Sequence, residues 1–165
     1  LIVKVSLKVL GIDPGLRVTG WAVLRCVGSV QEVLASGVIK PSVEGHLSAR
    51  LQELHHQVAA VYELHQPDRV GAEEGYCGVD GRSALKLGMV RGAILTACPK
   101  LVYMYPPAYI KKAVCGLGNA SKDVILEVVN EKFPDIKLKN AQHDIADAIA
   151  IGLCAAQEQG DVVPG

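Results

Sequence analysis

Lys8-Val9-Leu10-Gly11-Ile12-Asp13-Pro14-Gly15 is an apolar run that ends on a carboxylate and then on a Pro-Gly turn. Val9, Leu10 and Ile12 ahead of that turn read as a buried strand over residues 8–13. Asp is unfavourable in strands, so a carboxylate at a strand end needs a partner. A metal ion is one such partner, and a turn that the side chain caps is another.

Outward from this strand, residues 18–26 and 30–39 are two further β-rich runs, separated by the turn residues Gly28 and Ser29. Their short connections predict antiparallel hairpins. Leu47, Leu51, Leu54, Val58, Val61 and Tyr62 then recur at steps of three and four, which predicts a helix over 47–64 that Pro67 ends. A short strand over 69–73 precedes a glycine-bearing loop at 77–81. Leu85, Met89, Ala93 and Ala97 mark a helix stripe within 83–97, and residues 101–105 form a last strand before Pro106-Pro107. Helices are expected over 107–114, 121–132 and 144–157, with Ser121 as a cap and Asp123 in a first turn. Three antiparallel strands followed by alternating helices and strands give a mixed α/β pattern, a sheet between layers of helices.

The 165 residues are half hydrophobic, with one Phe and one Trp, so the core is aliphatic. That length suggests one domain over 1–165, with its core at about residues 9–156, large enough to fold without staples. The opening residues are expected to lead into the first strand rather than to act as a signal peptide. No uncharged apolar stretch of about 18 residues exists, so no membrane span is expected. The five cysteines include no CxxC pair. They read as reduced structural thiols, which implies a reducing compartment, the cytoplasm.

The formal net charge is zero, but its distribution is uneven. Between Arg82 and Lys122 there is no acidic residue, while Arg82, Lys86, Arg91, Lys100, Lys111, Lys112 and Lys122 all carry positive charge. A balanced total thus conceals a basic segment and, elsewhere, an acidic one.

The acidic candidates are Asp13, the pair Glu73-Glu74 after the apolar Val70-Gly71-Ala72, and Asp144 with Asp147. Adjacent residues on a strand point to opposite faces, so at most one of Glu73 and Glu74 shares a face with Asp13. Asp144 and Asp147 lie three apart on an otherwise apolar helix and share a face. Two carboxylates there repel unless something positive lies between them, or unless the exposed first turn holds them. Oxygen donors suit Mg²⁺ or Mn²⁺ better than Zn²⁺. A pair of such ions can clamp a phosphodiester while water attacks it, with no nucleophilic side chain needed.

Four segments together resemble the RuvC family of Holliday junction endodeoxyribonucleases. They are Val9 to Gly15 with Arg17-Val18-Thr19-Gly20, then Ser83-Ala84-Leu85-Lys86-Leu87-Gly88 with Arg91-Gly92. Lys111-Lys112-Ala113-Val114 with Gly116, Gly118 and Lys122 follows, and Ala146-Asp147-Ala148-Ile149-Ala150-Ile151 ends the set. The resemblance spans about residues 9–156. It implies an RNase H-like three-layer fold, with a mixed five-stranded sheet of three antiparallel strands then two parallel ones. It also implies a homodimer and Mg²⁺-dependent paired nicking of four-way junction DNA that leaves 5′-phosphate and 3′-hydroxyl ends. Two ions per site are expected, with Mn²⁺ able to substitute.

By the same resemblance the catalytic acids are Asp13, Glu73, Asp144 and Asp147, joined by Lys122. It is the resemblance that selects Glu73 over Glu74. Some members carry His for one of the last two acids, so His143 or Asp144 faces the metal, with Asp144 preferred. Tyr76 matches an aromatic position that stacks on junction bases, an interaction worth about 1–3 kcal/mol per base. Lys111 matches a lysine linked to activity. Arg82, Lys86, Arg91 and Lys112 are expected on the DNA backbone or the surface. Proteins of the RuvA and RuvB type are the implied partners. Asp80 departs from the family pattern and adds negative charge to the loop after Glu73. The tail from Gln157 is short and not basic. Two rivals are an actin-like ATPase domain, which needs a second domain and phosphate loop, and a junction-binding protein without catalysis.

Overall fold

The computed structural model describes residues 5–42, 44–75 and 80–158. The strands are β1 (Ser6–Asp13), β2 (Thr19–Val27), β3 (Val30–Ile39), β4 (Arg69–Glu73) and β5 (Val102–Tyr105). The helices are α1 (Leu47–His65), α2 (Gly81–Ala97), α3 (Pro107–Cys115), α4 (Lys122–Lys132) and α5 (His143–Ala156). The five strands form one sheet in the order β3-β2-β1-β4-β5. β1–β2 and β2–β3 pair antiparallel, and β1–β4 and β4–β5 pair parallel. This is the mixed three-plus-two sheet implied by the resemblance.

Alternation along β1 divides the interior in two. Val9 joins Ala22, Leu24, Val129, Ile149 and Ile151 on the face covered by α3, α4 and α5. Leu10 and Ile12 join Val23, Leu54, Val58, Val70, Val90 and Ile94 on the face covered by α1 and α2. Glycines make the bed for α5. A Cβ on Gly11 would lie 2.1 Å from the Ala148 carbonyl oxygen and 2.5 Å from the Gly152 nitrogen. One on Gly20 would lie 2.0 Å from the Asp144 carbonyl oxygen, and one on Gly71 2.9 Å from Ala155 Cβ. The helix backbone therefore rests almost directly on the sheet, crossing β2, β1 and β4 in turn.

One helix departs from its expected form. α2 starts at Gly81 because Asp80 caps it: the carboxylate accepts from the Arg82 and Ser83 amides at 3.1 Å and from Ser83 Oγ at 2.6 Å. These bonds, led by that from the Ser83 hydroxyl, hold the Asp80 carboxyl below the usual range. The expected stripe of α2 is covered only at its C-terminal end, where Ala97 is buried and Ala93 packs against the core. Val90, Ile94 and Ala97 are buried, whereas Leu85 is 69% exposed and Met89 48%. Ser121 caps α4 through the Val124 amide, as the sequence indicated.

Burial pushes the Cys98 thiol to about 11 and the Cys154 thiol to about 12, so both stay protonated and unreactive at neutral pH. No described helix is long and apolar enough to cross a membrane.

Candidate active site

The parallel register pairs Ile12 with Ala72, so Asp13 and Glu73 follow side by side at the ends of β1 and β4. Gly71 faces Ala155 and Ile151 of α5, and Glu73, two residues on, faces the same side. Glu74 lies beyond the end of β4, and its amide donates to the Tyr105 carbonyl at 2.8 Å. The strand ladder thus separates two glutamates that sequence alternation alone left equivalent.

The third carboxylate arrives from α5. Asp13 pairs across β1–β2 with Gly20, the residue that lies against the Asp144 backbone. Asp147 follows one turn later. A cleft of about 220 Å³ opens there, with Asp13, Glu73 and Asp147 in its wall. Lys111 of α3 and Lys122 of α4 line it too, above an apolar floor of Ile110, Ile125 and Ile151.

The acids strain one another electrostatically. Burial raises the Asp13 carboxyl well above its ordinary range, and Asp147, Glu73 and Asp144 raise it further against the pull of Lys122. Burial likewise raises Glu73, with Asp147 adding to it and Arg91, Lys122 and Lys111 opposing. Asp147 is raised by burial too, although Lys122, which reaches it at 3.3 Å, lowers it. Burial alone would lower the Lys122 ammonium, but Asp147 and Asp13 outweigh it and hold that charge above its usual value. Three carboxylates share one cleft with two lysines, of which Lys122 pairs with Asp147.

The remaining candidates separate from this group. Asp144 lies outside the cleft wall but near enough to act on Asp13, Lys122 and Asp147 through its charge. His143 turns its Nε2 toward Asp123 at 3.5 Å, and its Nδ1 is buried without a partner. Among the described residues no three His, Cys, Asp or Glu side chains stand as a preassembled metal shell. Arg82 and Lys86 are exposed on α2, as is Lys112 on α3. Arg91 instead turns inward, and its Nε donates to the Glu73 carbonyl oxygen at 3.2 Å. The sequence carried no signal for that inward turn. Tyr76 lies outside the described residues.

The family model "Crossover junction endodeoxyribonuclease RuvC" matches residues 9–155. The protein of that name from Rhodospirillum rubrum is 39% identical over 154 residues, covering 91% of this chain and 89% of the relative. The solved structure of Thermus thermophilus RuvC in complex with Holliday junction substrate superposes with a TM-score of 0.79 at 32% identity, over 91% of this chain and 93% of that one. A second solved structure, of Thermus thermophilus RuvC, gives a TM-score of 0.78 at 30% identity, with the same coverage. The sheet order, the helix layers and the glycine-seated α5 are those of an RNase H-like fold, and the chain belongs to the RuvC family of crossover junction endodeoxyribonucleases.

Proposed function

We propose that this protein resolves four-way DNA junctions by metal-dependent hydrolysis of one phosphodiester bond in each of two opposed strands, in recombination and repair. The observation that carries this reading is the convergence of Asp13, Glu73 and Asp147 from three separate elements on a cleft that also holds Lys111 and Lys122. Buried acids whose proton affinity is raised by desolvation and by a neighbouring carboxylate gain most from a bound cation. The donors are carboxylate oxygens, the chemistry of Mg²⁺ or Mn²⁺. Asp13, Glu73 and Asp147 would hold the metal, up to two ions, with Asp144 as the next donor and His143 beside it. A bound divalent ion supplies charge neutralisation and polarisation of the scissile phosphate.

The chain's own groups do the rest. One ionised site carboxylate, Asp13 or Glu73, orients the attacking water and accepts its single proton, and the departing O3′ takes a proton from solvent. Lys122, already charged and beside Asp147, neutralises charge that builds on the phosphate as the P–O3′ bond breaks. Bond cleavage at that oxygen leaves 5′-phosphate and 3′-hydroxyl ends. Lys111 and Lys112 on α3 and Arg82 and Lys86 on α2 contact the DNA backbone. Tyr76 stacks on a junction base.

A two-fold junction calls for two sites, and the outward face of α2 supports a homodimer. A Cβ on Gly81, Gly88 or Gly92 would meet nothing within 4 Å, and Leu85 and Met89 flank this open stripe. Small residues at helical spacing let a second helix approach closely. We assign the chain as one nuclease unit, cytoplasmic, working with junction-binding and branch-migration proteins of the RuvA and RuvB type.

The test is a synthetic four-way junction incubated with Mg²⁺ beside linear duplex of the same sequence. Paired symmetric nicks in the junction alone support the reading. Intact binding without nicks would show a binding protein instead.

A further inference from the structure

Arg91 reaches the site from the wrong side of the sheet. The cleft opens on the α5 face, whereas α2 packs through Val90 and Ile94 into the α1/α2 layer. From there the Arg91 side chain runs to the end of β4, where its Nε donates to the Glu73 carbonyl oxygen at 3.2 Å. Its guanidinium lies close to Gly75: a Cβ there would be 3.2 Å from both Cζ and Nη1. The neighbouring amide, Glu74 N–H, is held from another direction by the Tyr105 carbonyl at 2.8 Å. The β1–β4 ladder has by then ended at Ile12–Ala72, so β1 no longer supports this peptide. The Glu73–Glu74 peptide is therefore fixed by one guanidinium on its oxygen and by β5 on its nitrogen.

We infer that Arg91 is a positioning residue that clamps the last peptide of β4, so that the Glu73 carboxylate stays turned toward Asp13 and Asp147. The role rests on the reading of Glu73 as a site acid given above. It differs from a purely DNA-backbone role, because the Nε proton is spent on a protein carbonyl at the end of β4 before any DNA is present. Since α2 also carries the outward glycine stripe, the clamp joins the helix exposed for pairing to the acid it positions. A misplacement of about 1 Å at a reacting group can cost on the order of a hundredfold in rate, which sets the scale for one lost anchor.

Arg91→Met keeps the stem and removes the donors. In the full-length protein without metal or DNA, amide exchange at Glu74 should accelerate at least about tenfold if the clamp closes this strand end. With junction and Mg²⁺, the maximal nicking rate should fall by about tenfold to a hundredfold. The Mg²⁺ concentration for half-maximal rate should rise several-fold, while metal-free junction binding should stay within about twofold. Arg91→Lys, which retains one charged donor nitrogen, should recover part of both losses. Gly75→Ala, which pushes on the guanidinium from the other side, should give the same pattern more weakly and serves if Arg91→Met does not fold. Unchanged Glu74 exchange in Arg91→Met, or in Gly75→Ala should the first not fold, overturns the clamp. Weakened metal-free binding with unchanged exchange reassigns Arg91 to DNA. If the wild-type protein does not nick junctions, the nuclease reading fails while the exchange experiment still decides the clamp.

Discussion

The Lys122 ammonium stands 3.3 Å from the Asp147 carboxylate, in a cleft where burial raises Asp13, Glu73 and Asp147 and where Asp147 raises the other two further. It is the nearest substitute for a metal that the chain itself supplies. Lys122→Met should leave the acids unneutralised and slow nicking by about a hundredfold or more, the scale for removing one charged donor at a transition state. The same variant should lose thermal stability without Mg²⁺ and regain most of it with Mg²⁺. Calorimetric unfolding with and without the ion checks this. A variant that cuts at the wild-type rate removes Lys122 from the chemistry.

Acid should stabilise the metal-free protein across the mildly acidic range. Asp13, Glu73 and Asp147 are all raised in the fold, so the native state binds protons more tightly than the unfolded chain. The stability linked to them is complete below the unfolded carboxylate values and is lost as pH rises through the raised native ones. Lys122 is raised too, but what it contributes disappears only above the ordinary lysine range and does not alter this window. The unfolding midpoint of metal-free protein should therefore rise as pH is lowered from neutrality toward the ordinary carboxylate range. Asp13→Asn should flatten that slope, abolish nicking and spare junction binding. An unchanged slope in Asp13→Asn would remove Asp13 from the coupled group.

Much of this was legible in the sequence because period and punctuation agreed. The β3 boundaries and the Ser121 cap followed from alternation and from capping chemistry. The buried face of α2 did not. Its Leu85–Met89 stripe is as apolar as the Val90–Ile94 stripe, and only docking on α1 decides which one is covered. Glu73 and Glu74 were indistinguishable by alternation alone, because that needs a reference face. Gly71 supplies it only once α5 is known to lie on it. Arg91 read as one more positive charge, since a side chain's inward turn leaves no mark on composition.

The exposed stripe on α2 predicts the assembly state. Leu85→Glu places a carboxylate on a surface that reads as a helix–helix contact and leaves the buried Val90–Ile94 face untouched. The wild-type protein should elute at the mass of a dimer, twice 17.5 kDa, and the variant at that of a monomer. Light scattering coupled to gel filtration reads both. Paired nicking should fall further than single-strand nicking, because the two sites lose their common frame. A variant that stays dimeric places the contact elsewhere.

The contact of α5 with the sheet sets the last expectation, because it decides where Asp144 and Asp147 lie. A methyl on Gly11 would strike the backbone of Ala148 and Gly152, at 2.1 and 2.5 Å, and neither can move without shifting the helix. A methyl on Gly152 would meet Leu24 Cδ1 at 2.6 Å, the far end of a flexible side chain. The two substitutions add the same atoms at one interface, but only the first must lift α5. Gly11→Ala should therefore cost about 3 kcal/mol or more, against roughly 1 kcal/mol for Gly152→Ala, the upper and lower ends of overpacking penalties. Urea unfolding measures both. Nicking by Gly11→Ala should be lost even where the protein remains folded, because Asp147 moves away from Asp13 with the helix. Equal costs for the two would mean that the helix is seated by its side chains and that the glycine bed does not set the geometry of the acids.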